Sequence, residues 1–272
     1  MKKTSVILSG TKWSRRISLT SSRPFDYTQG KLRRGSILLL SLLVLSAFLL
    51  AACGGDSGSN ADSAKSNSNA SSVKTGTFKD SRDGKTYKTV KIGDKVWMAE
   101  NLNYKTENSY CYLNDEAFCD EYGRLYTWAA AMDSAAKWGK NGKGCGDGKK
   151  CSPTDPVRGV CPSGWHLPKT EEFVKLFDAV GGDKTAGKKL KSTSGWYNTG
   201  NGTDDYSFTA LPAGFRFEDG LFENIENGAY FWGSTEISDG IANAMELFLY
   251  NKDASLKRYK KNHSYSVRCI QD

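Results

Sequence analysis

Six cysteines follow residue 53 in this 272-residue chain: Cys111, Cys119, Cys145, Cys151, Cys161 and Cys269. A seventh, Cys53, closes an unbroken run of apolar or small residues from Ile37 to Ala52, preceded by Lys31, Arg33 and Arg34. A basic flank, a short apolar segment and small residues before the break make a secretory signal, and the run is short for a membrane span. Export delivers a chain to an oxidising compartment, where an even set of cysteines reads as a disulfide framework. Six cysteines admit many pairings in principle. Closeness in sequence favours Cys111 with Cys119 and Cys145 with Cys151, which leaves Cys161 with Cys269. In the chain-entropy model the long loop is worth up to ~4.7 kcal/mol and each short one ~2.5 kcal/mol. A zinc site is the other use for cysteines. No CxxC spacing occurs, and His166 and His263 are the only histidines, so no metal is assigned.

The end of the apolar run, Leu50-Ala51-Ala52-Cys53, resembles the lipobox of bacterial lipoproteins. The resemblance implies cleavage before Cys53 and diacylation of that cysteine. Acyl chains contribute roughly 0.8 kcal/mol per buried CH₂, so more than one chain makes a stable anchor. The expected partner is therefore a membrane, reached through lipid and not through a span. Gly54 stands where inner-membrane retention in enterobacterial lipoproteins uses aspartate, which implies an outer-membrane address, on the periplasmic face or the cell surface. Met1 to Gly30 is long for the basic part of a signal, and the true start is expected further downstream.

The formal charge of +8 does not point to nucleic acid. Residues 1–52 hold nine of the 38 basic residues and one of the 30 acidic ones, so residues 53–272 balance at 29 of each. The basic excess belongs to the export segment, and no footprint for phosphate backbones remains. Local clusters such as Lys257 to Lys261 read as a solvated strand or loop.

The organisation expected is a signal over 1–52, a tether over 53–76 and one domain over 77–272. Gly54 to Gly76 is rich in Ser, Asn, Gly and Ala, without an aromatic residue. Such a segment buries too little apolar surface to offset its ordering entropy. From Thr77 the composition turns aromatic. Tyr87 to Ile92 and Lys95 to Ala99 read as a hairpin across Gly93-Asp94. Leu125, Trp128, Ala129, Met132, Ala135 and Ala136 fall on one helical stripe. A second helix is expected after Pro168, with Thr170 as N-cap, Phe173, Leu176, Phe177 and Val180 buried, and Gly181 as the stop. Strands follow: Ser207 to Phe217 with a turn at Asp219-Gly220, then Phe231 to Thr235, Ala244 to Tyr250 and Tyr265 to Ile270. Two helices ahead of antiparallel strands argue for an α+β domain.

Several segments together carry a likeness. They include Trp97-Met98-Ala99-Glu100-Asn101-Leu102-Asn103-Tyr104, the stretch Tyr122 to Met132, Cys161-Pro162-Ser163-Gly164-Trp165-His166-Leu167-Pro168, Ala210 to Arg216, Phe231 to Glu236 and Ser266-Val267-Arg268-Cys269. With Asp80 to Gly93 they resemble the Fibrobacter major paralogous domain family, in order, across nearly all of 77–272. The resemblance implies an exported bacterial domain, often carried on lipoproteins, and implies no particular activity. More distantly, Gly164 to Phe173 is similar to the Trp-Arg-Leu-Pro element of formylglycine-generating-enzyme-like domains. That likeness implies a C-type lectin-like domain with two helices and antiparallel strands, stapled by disulfides, in which a long disulfide reaches the closing strand.

Candidate site residues follow from chemistry. Trp196 and Tyr197 precede a polar loop holding Asp204 and Asp205; aromatic faces stack on sugar rings, and carboxylates take hydroxyls. The competing reading packs these aromatics under the loop. Calcium would draw on Asp204, Asp205, Glu218, Asp219 and Glu223, but the Glu-Pro-Asn, Gln-Pro-Asp and Trp-Asn-Asp signatures of sugar-binding lectins are absent, and no cofactor is assigned. His166 reads as a buried structural histidine, and Glu171-Glu172 as partners of a helix N-terminus. No catalytic residue is assigned, since no Ser-His-Asp or Cys-His arrangement emerges. The expectation is an envelope lipoprotein with a non-catalytic domain, binding a carbohydrate or another envelope component or serving structurally. The alternative is an enzyme on a formylglycine-generating-enzyme-like scaffold, which would need free reactive thiols.

Overall fold

The computed structural model describes residues 73–272. The signal, Cys53 and residues 54–72 of the expected tether lie outside the described residues. Among the described residues, no helix is long and apolar enough to cross a membrane.

The chain opens with β1 (Lys74–Lys79), β2 (Thr86–Ile92) and β3 (Lys95–Met98), the last two joined by the expected hairpin turn, where Gly93 has φ 63°. β1 begins at Lys74, because Lys74, Thr75 and Gly76 pair with Lys91, Val90 and Thr89. Then come β4 (Ser109–Tyr110), α1 (Glu116–Tyr122), β5 (Leu125–Thr127), α2 (Trp128–Ala131) and β6 (Trp165–His166). Two helices follow, α3 (Thr170–Ala179) and α4 (Asp183–Leu190). The rest is strand: β7 (Ala213–Arg216), β8 (Phe222–Ile225), β9 (Gly228–Glu236), β10 (Ile241–Phe248), β11 (Ala254–Lys260), β12 (Ser264–Tyr265) and β13 (Ile270–Gln271). Three antiparallel sheets result, ordered β1-β2-β3-β13-β6, β11-β10-β9 and β4-β5-β12-β7-β8. The fold is mixed α and β, with few helices and antiparallel sheets, as the element pattern predicts.

β9 and β10 divide the core. Tyr230 and Trp232 point into one apolar cluster with Trp128, Tyr126 and Tyr265. Their neighbours Ala229 and Phe231 point into the other, with Trp97, Phe173 and Phe208. β10 repeats this with Ala242 and Ala244 on one side and Met245 and Leu247 on the other. A strand alternates faces residue by residue, so a continuous apolar run such as Ala229-Tyr230-Phe231-Trp232 requires both faces covered. In register, small Ala244 sits across from Trp232. Burial of side chains of this size stabilises by roughly 1.5–3 kcal/mol each. The indoles keep their N–H groups bonded: Trp128 Nε1 donates to Gly233 O at 2.9 Å and Trp232 Nε1 to Tyr126 O at 2.8 Å.

The three disulfides form the expected pairs. Cys111 bonds Cys119, Cys145 bonds Cys151, and Cys161 bonds Cys269 across 108 residues.

Several local expectations need correction. The stripe from Leu125 to Ala136 is not one helix. Leu125 lies in β5, and α2 ends at Ala131. Asp133, at φ 56°, turns its buried carboxylate onto the N–H groups of Lys137, Trp138 and Gly139, at 2.9, 2.7 and 2.9 Å. An acid that caps three successive amides folds a loop instead of continuing a helix. Neighbouring backbone crosses the end of α2 so closely that a Cβ on Gly142 would stand 1.9 Å from Met132 O. In α3 the N-cap is Lys169, not Thr170; Glu172 reaches back to the Lys169 N–H at 3.1 Å. Gly181 ends the helix as expected, with Gly182 N–H bonded to Phe177 O and Gly181 N–H to Asp178 O, the Schellman pattern. Within Ser207 to Phe217, Ser207 and Thr209 have positive φ, and the strand starts only at Ala213. The segment from Tyr265 to Ile270 is split between two sheets. Lys261 is not solvated: it is 1% exposed and paired with Glu236 at 2.6 Å. Two helices were expected where α1 and α4 are also present.

Candidate functional site

Titratable groups gather in one cleft of about 300 Å³ lined by Lys95, Pro156, His166, Glu172, Ser234 and Asp272, among others. β6 and β13 pair His166 with Ile270, and α3 delivers Glu172 from its first turn. His166 Nδ1 lies 2.6 Å from Asp272 Oδ1, and Nε2 lies 3.0 Å from Glu172 Oε1. Burial opposes charge on the imidazole, but the two carboxylates outweigh it and hold its pKa above the ordinary value. Burial likewise works against the Glu172 carboxylate; His166 and the Lys169 N–H prevail and lower its pKa. An imidazole bonded through both nitrogens to carboxylates has no lone pair for a nucleophile's proton or a metal. Ser234, on the same cleft, turns its hydroxyl to Pro168 O at 3.4 Å. The arrangement is an ion-paired clamp joining β6, α3 and β13.

Other buried charges are closed in the same way. Arg268 is wholly buried, donates from Nε to Asn101 Oδ1 at 2.7 Å, and gives its terminal nitrogens to Phe208 O and Thr209 O. Burial pulls its pKa down to about 9, with Asp204 and Glu100 opposing. Lys191 gives its ammonium to the carbonyls of Phe248, Leu249 and Asn251, and burial lowers its pKa to about 8. Lys261 lies 4.5 Å over the Trp128 ring, and its partner Glu236 also accepts the N–H groups of Cys151 and Ser152.

The four residues expected on a ligand surface do not share one exposed face. Trp196 is core: it is 4% exposed, its Nε1 donates to Ser192 Oγ and Ala210 O, and the Lys191 ammonium sits 4.8 Å over its ring. Packing beneath the loop, not stacking on a ligand, is its role. Tyr197 is 52% exposed. Asp204 turns inward, taking the N–H and hydroxyl of Thr209, both at 2.7 Å. Burial outweighs these bonds and raises its pKa. Asp205 is exposed. The oxygens considered for calcium are scattered as well, with Glu218 engaged by Lys260 and His263 and Asp219 accepting the Leu221 N–H. Among the described residues, Cys111, Glu116 and Cys119 bring ligand-type atoms within 4.8 Å of one another, but the two sulfurs are bonded to each other.

Sequence reasoning found His166 and Glu172 but missed Asp272, Arg268, Lys191 and the Lys261–Glu236 pair. A buried lysine beside exposed ones carries no local signature; only the alternation of β11 into Lys261 hints at its inward side.

No curated protein matches the chain, and no solved structure does. The family model described as the Fibrobacter succinogenes major domain matches residues 90–271, a span that includes β9 and β10, His166 with Glu172 and the three disulfides, and that leaves β1 and Asp272 outside. The likeness that the segments from Asp80 to Cys269 carry is that of kin, and the chain belongs to the Fibrobacter succinogenes major domain family.

Proposed function

We propose that this protein is an exported envelope lipoprotein, anchored at Cys53, whose domain is a non-catalytic binding or structural module. The observation that carries the non-catalytic reading is the His166 clamp: both ring nitrogens are occupied by carboxylates, so the best-placed titratable side chain is unavailable as a base. The formylglycine-generating-enzyme-like alternative needs free thiols, and all six cysteines of the domain are in disulfides. We further propose a C-type lectin-like topology, supported by the bond from Cys161 to Cys269 beside β13. The outer membrane is the expected address, and a carbohydrate or other envelope component the expected partner.

One experiment addresses both halves of the reading. Cells producing the wild type or Cys53→Ala are fractionated, and the purified wild-type chain is applied to a glycan array with and without calcium. The wild type is expected in the membrane fraction and the variant outside it or as uncleaved precursor, with calcium-independent glycan retention and no product release. Normal retention of Cys53→Ala overturns the anchor, and turnover of an arrayed glycan overturns the non-catalytic reading.

A further inference from the structure

Two adjoining hollows on the β2 side share Lys88, Ala99 and Thr209 and together form a long groove, the first of mixed lining and the second more apolar. One part, of about 400 Å³, runs past Lys85, Asn103 and the C-terminal end of α1 at Asp120 and Glu121. The other, of about 480 Å³, passes Thr75, Gly76 and Thr77 of β1 and reaches Ser207. Length along the surface suits an extended ligand better than a compact one.

The floor is made of small residues. Ala99 follows the buried Trp97 and Met98 and leaves the groove floor low, while Asn101 of the same motif turns inward to Arg268 and Tyr122 O. A Cβ on Gly76 would already stand 3.1 Å from Thr89 Oγ1. The walls carry hydroxyls and amides, from Thr77, Thr86, Thr209 and Asn103. Hydroxyl groups both donate and accept, so they match a partner that does the same. Thr209 is pinned by Asp204, which gives the sequence-expected acid a supporting part. Asn103 donates from Nδ2 to Cys119 O at 2.8 Å, its carbonyl takes the Lys85 ammonium at 3.2 Å, and its Oδ1 is buried with no donor among the described residues. Charges of both signs line the groove, and Lys88 pairs with Glu100 at 3.8 Å. No wall presents the single sign that a polyanion or polycation requires.

We infer that this groove binds an extended, uncharged, hydroxyl-rich chain, an oligosaccharide. A peptide would find backbone partners along the open edge of β1, whereas the groove offers side-chain hydroxyls and no deep apolar pocket for a peptide's side chains. The inference rests on the binding-module reading and gives it a place and a class of ligand.

The test uses the full-length chain, purified in detergent, in titration calorimetry against cellohexaose, chitohexaose, maltohexaose, an oligogalacturonate and an unstructured serine-rich peptide. At least one neutral oligosaccharide is expected to bind, with affinity rising from its disaccharide to its hexasaccharide. Thr77→Ala, at an exposed position, and Glu100→Gln, at a half-buried one in the other part of the groove, are each expected to weaken it by about tenfold, the factor for 1.4 kcal/mol, with unchanged melting midpoints. Loss of binding with a lowered midpoint is resolved by Lys88→Gln, which removes a groove contact from a side chain that is 76% exposed and is expected to weaken binding alone. The inference is overturned if no neutral oligosaccharide binds, if all three variants bind as the wild type does, or if the oligogalacturonate or peptide displaces the sugar and is itself weakened by them. Release of shorter sugars from a bound hexasaccharide would instead overturn the non-catalytic reading while leaving the groove as the site.

Discussion

Around His166, polar atoms that are taken out of water meet partners within the chain; along Lys88 and Glu100, polar atoms of the same kinds face solvent. Both regions are depressions lined by lysines and carboxylates, and inspection of residue types alone would rank them alike. The difference is closure. A buried charge is tolerable only when paired or hydrogen-bonded, so a closed cluster measures what the fold requires. A solvated pair contributes little to stability and leaves its atoms available to something else.

The comparison is broken most severely at Arg268. Replacing it by Met leaves Asn101 Oδ1, Phe208 O and Thr209 O without their donors. Unmatched buried acceptors cost about 1–3 kcal/mol each, and a loss of about 3–5 kcal/mol is expected in denaturant unfolding. A loss under about 1 kcal/mol would mean the closed centres are dispensable. Lys261→Met comes next, at about 3 kcal/mol, because it takes the ammonium from the Glu236 carboxylate and from the Trp128 ring, leaving Glu236 only the Cys151 and Ser152 N–H groups. Adding Glu236→Gln should restore part of that loss, as a double-mutant cycle would record.

The His166 clamp sharpens the contrast through pH. The His166 pKa is raised by folding, so its contribution is complete below the unfolded value of 6.5 and is lost as pH climbs through the folded value. The Glu172 pKa is lowered, so its contribution is complete above 4.5 and is lost as pH falls through its folded value. The clamp therefore supports the fold most between about pH 4.5 and 6.5. His166→Gln should cost about 1–2 kcal/mol in that window and flatten the alkaline decline in a thermal-melt series. The smallest effect is expected in the groove. Lys88→Ala should move stability by no more than about 0.5 kcal/mol in the same denaturant assay; a larger loss would place the groove among the closed centres.

How much of this was legible depends on whether the cause was local. The β2–β3 hairpin and α3 were readable because Gly93-Asp94 and the pattern Phe173, Leu176, Phe177 act within a few residues. The disulfides were readable because two pairs are close in sequence. α4 was not: Asp183–Leu190 carries three lysines and an internal glycine, and its buried face is only Ala186, Gly187 and Leu190. Gly187 is there for contact, since a Cβ would meet Asp253 O at 2.1 Å, a constraint from residues over sixty positions away. α2 failed the opposite way: its stripe was real, but Asp133 overrode it by capping a loop. Trp196 stood between a ligand face and a place under the loop because polar residues follow it, and its packed place rests on Ser192, four residues back, and on Ala210, fourteen ahead. The groove was invisible for the same reason, being assembled from β1, β2, the segment after β3 and the end of α1.

The position of β13 in the first sheet has a consequence for assembly order. Ile270 lies between Trp97 of β3 and His166 of β6, so the late residues occupy a middle lane and not a margin. A chain emerging from its N-terminus can form the β1-β2-β3 hairpins early, but β6 has no neighbour to join until residues 270–271 arrive. Pairings so distant in sequence must be bought with loop closure before any contact rewards it. Synthesis thus delivers a half-built sheet with one open lane, and docking of β13, Asp272 onto His166 and Cys269 onto Cys161 becomes a single locking event that completes the domain.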